Sequence, residues 1–125
     1  MKNNEQLLFV YNANAGKGNA LLDSLHKVFS PQTYDCQLCK ITFGVFSEKS
    51  SWKRFRKASK LPMIFLHKDE FTKMYKSKFQ YKFTFPIVLL EGDNGLEVLI
   101  STQELNTLQS SEELIKVLKG RSLGL

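Results

Sequence analysis

The sequence predicts a single α/β domain, a central mixed sheet with flanking helices, in the order β-α-(insertion)-β-α-β-β-α. Three observations carry that expectation. Leu7-Leu8-Phe9-Val10-Tyr11 and Met63-Ile64-Phe65-Leu66-His67 have the near-continuous hydrophobicity of strands buried on both faces. Each run is followed by residues at helical spacing, giving two βα units and hence parallel strands. Late in the chain, Phe85 to Leu90 and Leu96 to Ile100 flank Gly92-Asp93-Asn94-Gly95, the pattern of a β-hairpin.

The first strand stops at Asn12-Ala13-Asn14-Ala15-Gly16-Lys17-Gly18-Asn19, whose Asn and Gly residues suit a turn. Leu21, Leu22, Leu25, Val28 and Phe29 then recur at helical spacing, and Ser30-Pro31 ends that helix. An insertion at about 30–60 follows. It reads as a loop from Pro31 to Asp35, the Cys36-Gln37-Leu38-Cys39 pair and a short strand from Lys40 to Phe43. A helix from Ser47 to Ser59 completes it, capped by Ser47, with Trp52 and Phe55 facing inward and a basic outer face. After the second strand, Asp69 is expected to cap a short helix through Phe71, Met74 and Tyr75. Phe79 to Phe85 alternates as a half-buried strand does. Ser110, with Glu113 three residues on, forms a capping box, and Leu114, Ile115, Val117 and Leu118 make the inward stripe of a closing helix.

This order resembles the thioredoxin and glutaredoxin family, which places a cis-proline just before the third strand of its core, where this chain has Pro86. The resemblance implies a thioredoxin-like sheet spanning residues 1–125. A flavodoxin-like sheet would need a further crossover helix, for which the turn between the last two strands leaves no room. Redox-active members of the family carry a cysteine at the turn from first strand to first helix, where thiol pKa is lowered. Here that turn is Asn12 to Gly18 and has no cysteine. The resemblance therefore implies an atypical thioredoxin-fold protein that lacks the usual catalytic cysteine site and acts through binding.

A length of 125 residues fits one domain. No run approaches the roughly 20 apolar residues of a membrane span. Met1 to Gln6 lacks the apolar stretch of a secretory signal, so a cytoplasmic protein is expected. In that compartment two cysteines are expected as reduced thiols or metal ligands rather than a structural disulfide. The net charge of +6 is uneven: of 18 basic residues, 11 lie between Lys49 and Lys82, against only Asp69 and Glu70. A field of this kind attracts polyanions.

Three constellations are candidates for function. The loop of Asn14, Gly16, Lys17 and Gly18 follows a strand and opens a helix, where backbone N–H groups can hold an anion. It is not a phosphate-binding P-loop, because Tyr11 stands at the first glycine position and Gly18 at the hydroxyl position. Residues 7–21 also resemble the opening motif of the diacylglycerol-kinase family, whose later Gly-Gly-Asp-Gly motif is missing here. Cys36-x-x-Cys39 has both the chelate spacing of zinc sites and the spacing of redox pairs. With His26 and His67 as co-ligands the pair would complete a Zn2+ site, and alone it would serve a thiol–disulfide oxidoreductase with Cys36 as nucleophile and Cys39 as resolving thiol. In the fold expected, His26 lies near the bottom of the sheet and the insertion, and His67 at the opposite end. Lys53, Arg54 and Lys57, interleaved with aromatic residues, are candidates for binding nucleic acid or another acidic partner. The chain is also similar to a group of short bacterial proteins of uncharacterised function that share residues 12–17, 36–39 and 65–71 and are sometimes labelled GTPases. That likeness implies a bacterial origin and defines no activity.

Overall fold

Four strands form one mixed sheet in the computed structural model, which describes residues 5–12, 36–42, 48–75, 83–93 and 95–121. They are β1 (Gln6–Tyr11), β2 (Met63–His67), β3 (Ile87–Gly92) and β4 (Gly95–Ile100), in the order β2-β1-β3-β4. β1 runs parallel to β2, from Leu7↔Met63 to Tyr11↔His67. It runs antiparallel to β3, from Gln6↔Glu91 to Val10↔Ile87. β3 and β4 form the expected hairpin, which closes at the Gly92↔Gly95 pair. Gly95 has φ 110°, a backbone conformation that a Cβ strongly disfavours. The Phe85–Pro86 peptide is cis and immediately precedes β3.

The helices are α1 (Gln37–Thr42), α2 (Ser50–Ala58), α3 (Lys68–Tyr75), α4 (Thr102–Leu105) and α5 (Ser111–Arg121). Side chains alternate across a strand, so β1 supplies two cores at once. Leu7 and Phe9 face Leu38, Trp52, Leu105, Leu114 and Leu118 from α1, α2, α4 and α5. Leu8 and Val10 face Phe71 and Tyr75 of α3 on the other side. Phe9 is central to the larger core. Its ring lies 4.9 Å from Phe65 in a stacked pair and 5.5 Å from Trp52 edge-on.

Several local expectations are corrected. A short strand is expected from Lys40 to Phe43, but Lys40 to Thr42 belong to α1 and Phe43 lies outside the described residues. Leu38, Ile41 and Thr42 are buried at helical spacing, and the Thr42 hydroxyl donates to the Leu38 carbonyl at 2.7 Å. α2 starts at Ser50 with Lys49 as an N-cap that makes no side-chain capping bond, and Ser47 lies outside the described residues. Asp69 lies inside α3 rather than at its N-cap, and its carboxylate accepts the Glu70 N–H at 3.0 Å. Glu70 does the capping work, its carboxylate accepting the His67 N–H at 2.8 Å. Glu113 donates its N–H to Ser110 Oγ as expected, but its carboxylate takes the N–H of Gln109 instead of closing the box on Ser110. The closed box is at α4, which the periodicity did not indicate: Glu104 N–H donates to Ser101 Oγ, and Ser101 N–H to the Glu104 carboxylate. The helix expected over Leu21 to Phe29 falls outside the described residues, as do residues 79–82 of the strand expected over Phe79 to Phe85; its described part, Phe83 to Phe85, is not a strand, and β3 begins at Ile87. No helix among those described is long and apolar enough to cross a membrane.

Truncating the central ring, Phe9→Ala, is expected to cost about 3–5 kcal/mol in urea unfolding, through lost burial and the cavity left behind. A second expectation concerns the clamp between α4 and α5. Arg121 donates to both Glu104 carboxylate oxygens, at 2.9 and 2.6 Å, and to the Leu99 carbonyl at 2.9 Å. Together with the Ser101 N–H, the guanidinium lowers the Glu104 pKa to about 2. A carboxyl depressed in the folded state contributes stability above its ordinary pKa and loses it as pH falls through the folded value. The difference in melting temperature between the wild type and Glu104→Gln should therefore shrink as pH is lowered from about 5 to about 2.

Candidate functional site

The parallel register puts the C-terminal ends of β1 and β2 side by side, with Tyr11 opposite His67 and their rings 6.1 Å apart. The next residue, Asn12, fixes what meets this end of the sheet. Its backbone N–H donates to Cys36 Sγ at 3.4 Å. Its side-chain oxygen accepts from Lys68 Nζ at 3.1 Å, which ties the strand end to the start of α3. Antiparallel pairing of β1 with β3 ends at Val10↔Ile87, so Pro86 sits one residue beyond the last rung, at the same end.

Cys36 lies just before α1 and Cys39 within its first turn. Their Cα atoms are 5.2 Å apart and the two sulfurs are joined in a disulfide. This corrects the expectation of reduced thiols or metal ligands. Residues three apart on a helical turn share a face, which brings the two side chains within bonding reach. The Cys39 N–H donates to Cys36 Sγ at 3.3 Å, so Cys36 receives two backbone donors. Both cysteines belong to the larger core, Cys36 wholly buried and Cys39 8% exposed. Gln37 anchors the same turn by donating to the Leu108 carbonyl at 2.6 Å, ahead of α5.

The placement differs from the one chain distance implied. The pair was expected in an insertion away from the strand end, with His67 at the opposite end of the sheet. Instead, Cys36 and His67 both adjoin the last residues of β1. His67 does not turn to the sulfurs in this arrangement: its Nδ1 is 3.0 Å from Glu70 Oε1. The His67 N–H, and then its imidazole, hold the Glu70 carboxyl below its usual range. Among the described residues, no group of three or more His, Cys, Asp or Glu side chains could hold a metal ion. His26 and the anion-loop candidates Asn14, Gly16, Lys17 and Gly18 lie outside the described residues. The sequence reading overlooked Asn12, Lys68 and Glu70 as parts of this end of the sheet. Only Glu70 left a trace, as an acidic residue in the first turn after a strand.

Lys53, Arg54 and Lys57 do share one exposed surface, on α2. Lys49, Lys53 and Lys57 follow one another at four-residue steps, about 6 Å apart along the axis. Like charges at that spacing cost a helix about 0.2–0.5 kcal/mol each. Among the described residues Arg56 of α2 pairs with Glu48 in a two-pronged contact at 2.8 and 2.9 Å, and the charges of Lys53 and Lys57 act on the same carboxylate. That contact lowers the Glu48 pKa and raises that of Arg56.

Compared with known proteins, the chain matches no family model, no curated protein and no solved structure. Once the disulfide is reduced under native conditions, iodoacetamide should modify Cys39 before Cys36, as peptide mapping would show. Equal rates, or Cys36 first, would contradict the burial order.

Proposed function

We propose that this chain is a thioredoxin-like protein whose Cys36–Cys39 pair cycles between disulfide and dithiol by exchange with a small-molecule thiol. The observation that carries this reading is the position of the pair. Two cysteines separated from β1 by more than twenty residues of chain return to its C-terminal end, with Cys36 Sγ taking the N–H of Asn12. The order β2-β1-β3-β4 and Pro86 at the head of β3 support the thioredoxin-like part of the reading. α1 spans only six residues, so the explicit N–H contacts, rather than a helix dipole, are the source of electrostatic support.

The contacts imply a direction for the exchange. An external thiolate attacks the sulfur of Cys39, the cysteine with residual exposure. The Cys36–Cys39 bond breaks and its electron pair goes to Cys36 Sγ. The N–H groups of Asn12 and Cys39 favour the thiolate formed there and oppose the effect of burial, and a better-stabilised thiolate leaves faster. A second thiolate then attacks the mixed disulfide, releasing the external thiol as its own disulfide. The Cys39 thiolate left behind takes a proton from solvent. In total, two external thiols are oxidised and one protein disulfide is reduced; oxidation of the protein is the reverse. The Asn12 side chain is held by Lys68, which makes Lys68 a positioning residue for the donor at Cys36.

Glutathione buffers spanning about −300 to −180 mV, followed by acid quenching and mass analysis, should show a reversible dithiol–disulfide equilibrium in the folded protein. Cys36→Ser should accumulate a glutathione adduct on Cys39, and Cys39→Ser should form its adduct about tenfold more slowly or worse. A pair that stays oxidised across the whole range until the protein is unfolded would make the disulfide a structural clamp and end the redox reading.

A further inference from the structure

The outer surface of the layer formed by α2 and α5 contains a groove of about 480 Å3 that disulfide exchange leaves unused. Its apolar lining comes from Phe55 and Ala58 on α2 and Ile115 on α5. Arg54 stands along one side and Lys119 along the other. Lys53 and Lys57 continue the positive charge along the exposed face of α2. Among the described residues, the ion pairs are Glu48 with Arg56, Glu70 with His67 and Glu104 with Arg121. The charges of Lys53 and Lys57 also act on Glu48, whereas none of these pairs includes Arg54 or Lys119.

This combination selects among anionic partners. A nucleic acid would need phosphate contacts together with an open ring on which a base could stack. Phe55 does not offer one, because Lys119 Nζ stands 5.9 Å from its centroid, over the ring where a base would lie. A purely polar polyanion would leave Ala58 and Ile115 without a counterpart. A peptide segment with carboxylates on both sides of an apolar side chain satisfies both features. We propose that this groove docks an acidic amphipathic segment of a partner protein. One apolar side chain of the segment fills the space between Phe55, Ala58 and Ile115. Its carboxylates meet the forked guanidinium of Arg54 and the ammonium groups of Lys57 and Lys119.

The test is fluorescence anisotropy of the intact protein with three labelled probes: a Glu/Leu amphipathic peptide, a polyglutamate of the same length, and an oligothymidylate of matched charge. The Glu/Leu peptide is expected to bind saturably and about tenfold tighter than either of the others. Arg54→Glu and Ala58→Glu, both on exposed helix positions, should each weaken it about tenfold or more. Lys73→Glu makes the same charge change as Arg54→Glu on exposed α3, across the sheet, and should leave binding within about twofold. Thermal melts confirm that each variant is folded. Oligothymidylate binding tighter than the peptide would overturn the proposal in favour of nucleic acid. Equal losses in Arg54→Glu and Lys73→Glu would reduce it to an effect of net charge, and no saturable binding of any probe would also overturn it.

Discussion

β1 is the segment on which the rest of the molecule is built. Leu7, Leu8, Phe9 and Val10 are all fully buried, and the strand is hydrogen-bonded on both edges, to β2 and to β3. Because side chains alternate, four consecutive apolar residues are stable there only if helices cover both faces of the sheet. That requirement places α3 on one side and α1, α2 and α5 on the other. A one-residue slip of β1 would exchange the contents of the two cores, moving Phe9 away from Trp52 and Phe65 and into the smaller set around Phe71. Register and layer assignment are therefore one constraint, and the end of β1 becomes a fixed reference point for whatever meets it.

The cysteine pair takes advantage of that fixed point. A hydrogen bond from Asn12 to Cys36 Sγ ties a sulfur to the end of a strand paired on both edges, and Gln37 ties the same turn to the chain before α5. Cys36 is thus positioned by two separate parts of the fold rather than by its local sequence. Two effects compete at its sulfur. Removal from water disfavours a thiolate, whereas two N–H donors favour it. Cys39 belongs to the same buried turn but keeps a small exposed fraction, so the two residues differ in burial although their sequence setting is nearly symmetrical.

The strands were legible in the sequence because their signals are local and strong. Uninterrupted apolar runs and the Gly-Asp-Asn-Gly turn do not depend on distant residues. The short helices were less legible. α1 contains Ile41 and Thr42, whose β-branched side chains suit a strand, and it becomes helical because Leu38, Ile41 and Thr42 are buried on one face by residues far away in sequence. α4, four residues long, has too few positions for a periodicity to show, although its Ser101 and Glu104 capping partners were there to be read. The candidate site was the least legible part. Asn12 and Cys36 are 24 residues apart, and no spacing rule connects a strand end to a sulfur across that distance. On α2 the pattern was informative in a different way: the basic residues were rightly placed outward, but the groove beside them needs Ile115 and Lys119 from a helix some sixty residues on.

Loop length bears on why two cysteines at this spacing are joined at all. Cross-linking residues with a sequence separation of 3 removes little freedom from the unfolded chain, about 2 kcal/mol by loop-closure entropy, less than a long-range disulfide would contribute. The turn it closes is already held by α1 backbone hydrogen bonds, by burial of Leu38 and Ile41, and by the Gln37 contact. A bond that adds little to a turn already fixed is weakly justified as a staple. It is better justified as a bond that can open, because the surrounding contacts keep both sulfurs in place while it is broken. Under the proposed exchange, support that does not depend on the disulfide would hold the turn while the bond is open, and that support comes from β1 and the residues leading into α5.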